Sequence, residues 1–305
     1  MIIPFLDGFL TFSKAPITWI IILFNVFLFS QNNGLSREVQ LQFESWYQDD
    51  DFLQTQGRLY KQFSQKRDVA QVVDNSLVGR LAFRDSQFLL QAPLHQWSGD
   101  QVAIKKWRED VKDFMLLRAY YPALFLGVSD LQNDFISLLS YQFYHEGLTH
   151  LLGNLLLLLI IGGFLERKHS GLIVFLVYLI GGGLAALMYS RLHGLSGAPL
   201  VGASGSLCAL LGFLTATQFK KETRLFYFIL PSKEYMGFIF VPTVYWVLWL
   251  CMLEDITGLW SQSSLYSGGV AHMVHLLGFI LGCCLGIIYL QFQRWSRWQQ
   301  NPQSI

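Results

Sequence analysis

The chain has 305 residues, of which 52% are hydrophobic and only 14% are charged, and its formal net charge is +1. Soluble proteins average about 25% charged residues, so this composition indicates a membrane protein, and the balanced charge gives no reason to expect a nucleic-acid partner. The four cysteines lie in apolar segments and indicate no disulfide framework.

Six stretches are apolar enough to be candidate membrane spans, because a helix needs about 20 mainly apolar residues to cross a bilayer. They are 17–30, 151–165, 172–189, 200–219, 236–253 and 268–291. The first two are short, so flanking residues or tilt would have to complete the crossing. The sequence therefore predicts an all-α membrane protein with a bundle of six transmembrane helices.

A large polar insertion, residues 31–134, separates the first and second predicted helices. Asp100, or Ser98 just before it, predicts the start of a helix that runs to about Arg118. Four aromatic residues near its beginning form either a contact surface or the insertion's own core, namely Trp46, Tyr47, Phe52 and Tyr60. The predicted domains are thus 1–30 (N-terminus and first span), 31–134 (a mainly helical insertion), 135–293 (five further spans) and 294–305 (a tail).

The short loops set the predicted orientation, because Lys and Arg concentrate on the cytoplasmic side. One side carries Lys14, Arg167, Lys168, Lys220, Lys221, Arg224, Lys233, Arg294 and Arg297, whereas the opposite short loops carry only Arg191. Both termini are therefore predicted to be cytoplasmic and the insertion extracytoplasmic. A multi-pass protein of a bacterial inner membrane is the simplest fit.

The chemistry centres on Ser204, which stands between Gly202 and Gly205 at the start of the fourth span. The glycines remove bulk, so a substrate can approach the serine closely. A serine needs a base to become a nucleophile, and His275 in the sixth span is the best candidate, with His272 one turn nearer the outer surface. Span geometry places Ser204 roughly 8 Å below the outer edge of the apolar core, at a depth similar to His275.

Two further motifs support this site. Gly278 and Gly282 form a small-residue face that lets the sixth span approach the serine helix. His150 and Asn154 lie on one helix face and, with the backbone N–H of Ser204, can donate to an oxyanion. A helix–helix hydrogen-bonded pair is the structural alternative for His150 and Asn154.

A metal site and a transporter are the alternatives from other classes. His145 and His150 superficially match a zinc motif, but their i, i+5 spacing puts them on different helix faces, whereas zinc needs i, i+4. We therefore expect no metal and no cofactor. A transporter or a structural bundle would explain polar residues in the membrane, but not a serine flanked by glycines at a helix start.

Three motifs together resemble the rhomboid family of intramembrane serine proteases over about residues 135–292, with the first span in addition. They are His145-x4-His150-x3-Asn154 with Glu166 beyond, Gly202-Ala-Ser204-Gly205, and His275-x2-Gly278-x3-Gly282. The resemblance implies a Ser204–His275 dyad, an oxyanion site of His150, Asn154 and the Ser204 amide, and structural roles for His145 and Glu166. The chain departs from the family pattern at Cys208, where an aromatic is common, and at His272, where Asn is common.

We therefore predict an intramembrane serine endopeptidase that cleaves transmembrane or membrane-anchored proteins near the outer face of the bilayer. A loop at 257–269 is predicted to cap the site, and the fifth span, 236–253, to form a side gate. A rhomboid relative that clips C-terminal sorting tails is one alternative. A catalytically inactive relative that binds membrane proteins is the other.

Overall fold

The computed structural model of the chain contains two compact units. Unit 1 comprises Met1–Phe29, Leu138–His193 and Val201–Ile305, and unit 2 comprises Ser30–Ser137 and Gly194–Leu200. The residues described are 2–4, 14–64, 67–83, 85–129, 134–193, 199–228, 236–247 and 270–300.

The described residues are mainly helical. In chain order the helices are α1 (Pro16–Gln48), α2 (Asp50–Phe63), α3 (Arg67–Gln71), α4 (Asn75–Ala82), α5 (Ser86–Gln91), α6 (Gln101–Ala119), α7 (Pro122–Leu126), α8 (Phe135–Ser140), α9 (Leu148–Lys168), α10 (Gly171–His193), α11 (Ser204–Thr217), α12 (Thr243–Val247) and α13 (Val270–Gln300). The strands are β1 (Ile2–Pro4), β2 (Glu222–Phe228) and β3 (Met236–Pro242), and single 3₁₀ turns occupy Ala92–Leu94 and Tyr141–Phe143.

Three described helices are long and apolar enough to cross a membrane. They are α9 and α10, together with residues His272–Gln300 of α13. The fourth predicted span is the apolar helix α11, which has only 14 residues. The first predicted span, 17–30, is part of α1, which has 33 residues, so the predicted boundary at residue 30 falls inside a continuous helix. A membrane protein is thus confirmed, whereas six crossings stay a prediction.

The predicted fifth span, 236–253, is wrong over its first part. Met236–Pro242 is the strand β3, α12 follows it, and residues 248–253 lie outside the described part of the chain. β3 pairs antiparallel with β2, with Leu225 opposite Ile239, and β2 pairs with β1. Aromatic and β-branched residues make β3 a good strand, and a short apolar run does not by itself distinguish a strand from a helix.

Helix α11 lies at the centre of unit 1. All its residues from Gly205 to Thr215 are buried, as expected for a helix that is apolar on every side. Glycines bring α13 against it, because a Cβ on Gly278 would overlap the carbonyl oxygen of Gly205 and one on Gly282 that of Ala209. The position of the α11 N-terminus is therefore fixed by backbone contact.

Unit 2 has its own hydrophobic core. Helices α2 and α4 cross closely at Gly57 and Gly79, where neither position has room for a Cβ. Beside this crossing the buried Gln56 side chain donates to the carbonyl of Gly79 at 2.8 Å and accepts from the Trp107 indole at 3.2 Å. Unit 2 thus has the buried, hydrogen-bonded interior of a folded module.

The sequence left open which residue caps α6 and whether the aromatic residues of unit 2 form a core or a contact surface. The predicted cap of α6 is Asp100, whose carboxylate accepts from the N–H groups of Val102 and Ala103. Phe52 and Tyr60 are buried in the core of unit 2, whereas Tyr47 is 39% exposed. Most of this cluster therefore serves the core.

Candidate active site

Ser204 is the first residue of α11, and a short non-helical segment precedes it. Gly202 in that segment has a φ of 110°, a backbone conformation that residues other than glycine rarely adopt. Its N–H donates to the carbonyl of Tyr141 at 2.8 Å, and the N–H of Ala203 donates to Nε2 of His145 at 3.4 Å. The residues just before α9 therefore hold the approach to the serine.

His145 braces this segment as a neutral imidazole. Because its Nε2 accepts from Ala203, the ring proton lies on Nδ1, and the amide nitrogen of Asn154 completes the arrangement at 2.9 Å from Nε2. Burial, and next the charge of His150, lowers the pKa of His145 to about 4. Nε2 is thus committed to protein donors, which gives His145 a positioning role.

The two predicted oxyanion donors lie against the same segment. A Cβ built on Gly202 would stand 2.8 Å from Nε2 of His150 and 3.7 Å from Nδ2 of Asn154. Asn154 is buried, whereas His150 is exposed and its ring centroid is 5.0 Å from that of His145. The first N–H groups of α11, including that of Ser204, have no acceptor within their own helix. Donors from two helices therefore converge beside Ser204.

The predicted base lies on α13 where that helix meets the start of α11. A Cβ built on Gly205 would be 2.9 Å from Cγ1 of Val274, so the neighbours of Ser204 and of His275 are in contact. The ring of His272 is 6.4 Å from that of His275, centroid to centroid. His150 is also near enough to His275 for their charged forms to repel. Ser204 and His275 are both partly exposed as residues, whereas Nε2 of His275 is buried.

Glu166 lies apart from this cluster, near the other end of α9. Its carboxylate caps the start of α1: it accepts from the N–H of Ile17 at 2.9 Å and from both the N–H and the hydroxyl of Thr18 at 2.7 Å. A negative charge at a helix N-terminus is favourable. Glu166 therefore joins two helices of unit 1 and lies away from Ser204.

Three residues near the site gave no signal in the sequence. The Tyr141 hydroxyl donates to the carbonyl of Gly182 at 2.7 Å, and the buried Ser206 donates to the side-chain oxygen of Gln142 at 2.6 Å. Gln142 also donates to the carbonyl of Leu138 at 2.8 Å. These bonds tie the chain before α9 to α10 and to the first turn of α11, and no sequence pattern marks such partners in advance.

Two points raised by the sequence concern the surroundings of Ser204. The capping loop at 257–269 lies outside the described residues. Cys208, at a position where the family commonly has an aromatic, is buried at the contact with α13, and its Cβ is 3.4 Å from a Cβ built on Gly278. Cys208 therefore packs between the helices at this point.

The class of protein follows from these features: a helical membrane protein with a serine, histidines and an asparagine gathered at the ends of apolar helices. Residues 132–292 match the family Rhomboid domain, and the chain belongs to the rhomboid family. A stretch of 77 residues is 44% identical to Rhomboid-related protein 2 of Mus musculus. That match covers 24% of each protein, so the chain spans about a quarter of this relative's length.

Proposed function

We propose that the chain is an intramembrane serine endopeptidase, with Ser204 as nucleophile and His275 as general base. The observation that carries the proposal is the contact of Gly205 with Val274, which brings the neighbours of these two residues together, beside His150 and Asn154. Substrates would be transmembrane or membrane-anchored proteins cut near the outer face. The four predicted domains and the cytoplasmic termini are part of this proposal, whereas the predicted fifth crossing is not, because Met236–Pro242 is a strand.

The reaction would proceed by acyl transfer. Ser204 Oγ attacks the scissile carbonyl carbon while His275 accepts the hydroxyl proton. The N–H of Ser204 and the side chains of His150 and Asn154 donate to the oxyanion. His275 then gives its proton to the leaving amine, and a water molecule, activated by His275, hydrolyses the acyl-enzyme and restores Ser204. Location in a bacterial inner membrane stays a prediction, and the mechanism does not depend on it.

Cleavage of a model transmembrane substrate in vesicles tests the dyad. We expect Ser204→Ala and His275→Ala each to abolish cleavage, while His272→Ala, a matched change on the same helix face, keeps measurable activity. Thermal unfolding would show that the variants are folded. An active Ser204→Ala protein would refute the proposal, and an active His275→Ala with an inactive His272→Ala would refute the choice of base.

The same assay addresses the inactive alternative. A wild-type chain that is folded, binds a transmembrane substrate and neither cleaves it nor reacts with a fluorophosphonate at Ser204 would favour a binding protein. We expect labelling of the wild type and none of Ser204→Ala.

A further inference from the structure

Unit 1 contains a cavity of about 530 Å³ at the opposite ends of α9 and α11 from the candidate active site. Ligand pockets in proteins commonly range over about 300–1,000 Å³, so this volume suits a small ligand or a lipid head group. The polar lining includes Arg167, Lys168, Gln218, Lys221, Glu222 and Arg224. Phe164 and Phe240 add apolar surface.

The cavity lining carries a net positive charge, because four basic side chains face one carboxylate. Arg167 and Lys168 lie in the last turn of α9, where cations stabilise a helix C-terminus. Lys221 and Arg224, which belong to the predicted cytoplasmic side, follow α11: Lys221 directly precedes β2, and Arg224 lies on it. Lys168 and Lys221 are near enough to repel each other, so an anion between them would relieve an unfavourable contact.

A neighbouring histidine does not add to this charge. Burial, and then the charges of Lys168 and Lys221, lowers the pKa of His169 to about 4. Its imidazole is therefore neutral at pH 7. The positive potential in the cavity thus comes from the lysines and arginines.

A buried polar group in the lining points independently to a ligand. Gln218 is only 4% exposed, and its side-chain oxygen is buried with no hydrogen-bond partner among the described residues. Buried polar atoms in folded proteins usually have a partner, so this oxygen is available to accept from a hydroxyl group of a ligand. Rotation of the amide would instead present its two N–H donors to an anion.

We propose that this cavity binds a phosphate group. Lys168 and Lys221 would contact the phosphate oxygens from two elements and Arg224 would add a planar donor pair, while Gln218 would bind the phosphate or an adjoining hydroxyl. The predicted topology places the cavity at the cytoplasmic surface, where anionic phospholipids are enriched and basic pockets between helices bind their head groups. The phosphate belongs either to such a lipid or to a soluble phosphorylated compound. This proposal does not rest on the proteolytic function.

Lipid retention tests the proposal. The full chain would be reconstituted in vesicles of phosphatidylcholine with an equal share of phosphatidylglycerol, and bound phosphatidylglycerol measured by native mass spectrometry. Each lost charge-assisted contact should weaken binding about tenfold, so we expect the Lys168→Gln, Lys221→Gln double variant to bind about a hundredfold more weakly. Lys220→Gln is the matched control, because Lys220 is exposed, adjacent and not part of the lining.

A second measurement separates the two sources of phosphate. Inorganic phosphate would be titrated against protein in phosphatidylcholine vesicles, with the unfolding temperature as readout. Stabilisation by phosphate that the double variant loses, without retention of phosphatidylglycerol, would support the site and assign it to a soluble ligand. If the double variant does not fold, Lys221→Gln alone is compared with Lys220→Gln. Equal losses in the cavity and control variants, or no binding of either probe, would overturn the proposal.

Discussion

The carboxylate of Glu166 gives a prediction whose size follows from counted hydrogen bonds. The side chain is 7% exposed, and its two oxygens accept from three donors at the start of α1. In Glu166→Gln only one oxygen remains, so an N–H of Ile17 or Thr18 faces an amide group that cannot accept. Losing one charge-assisted hydrogen bond costs about 1.5–3 kcal/mol, and losing the charge at a helix N-terminus adds about 0.3–1 kcal/mol.

We therefore expect Glu166→Gln to lower the free energy of unfolding by about 2–4 kcal/mol. Titration of the reconstituted protein with a denaturing detergent would measure it, and Glu109→Gln, an exposed site on α6, is the control. Thr18→Val removes the hydroxyl donor alone, so the double variant should lose less than the sum, by about 0.5–3 kcal/mol. A Glu166→Gln protein within about 0.5 kcal/mol of the wild type would refute the reasoning.

Two further predictions concern the segment around Ser204. Gly202→Ala should slow the labelling of Ser204 by a fluorophosphonate about tenfold or more, because a φ of 110° is strained for alanine and the new Cβ would lie 2.7 Å from Cε1 of His150. Gly147→Ala is the control and should label at the normal rate, because a Cβ at Gly147 has no atom within 4 Å. Equal labelling rates of the two variants would contradict this account. The pKa of His145 is lowered in the folded state to about 4, so as the pH falls below about 6.5 the unfolded state binds a proton at this residue before the folded state does. The contribution of His145 to the free energy of unfolding is therefore fully present above pH 6.5, and it decreases by up to about 1.4 kcal/mol per pH unit as the pH falls towards about 4. His169 titrates in the same range, so the measurement is the difference between wild type and His145→Gln, and parallel pH curves would show that His145 contributes nothing.

Local signals predicted much of the fold. The glycines around Ser204 predicted a helix start, and Gly278 and Gly282 predicted a close helix contact. Both features depend on residue type and spacing alone. Asp100 predicted its helix for the same reason, since a cap acts on the N–H groups two and three residues later.

What the sequence did not predict depends on partners far along the chain. Glu166 bonds to Thr18 across 148 positions, and Ser206 bonds to Gln142 across 64. Periodicity carries no information about such pairs. The strand β3 was mistaken for part of a helix because its pairing with β2 is also a tertiary property, and a seven-residue apolar run fits either structure.

The close contact between α11 and α13 has a consequence for biosynthesis. The two helices meet through Gly278 and Gly282, and α13 begins at Val270, well after α11 ends at Thr217. During translation a chain exposes Ser204 before its proposed base has been made. Under the proposed mechanism, the nascent chain therefore passes through the translocon as an inert precursor. Under that mechanism, it can gain hydrolytic competence only when the later helix docks.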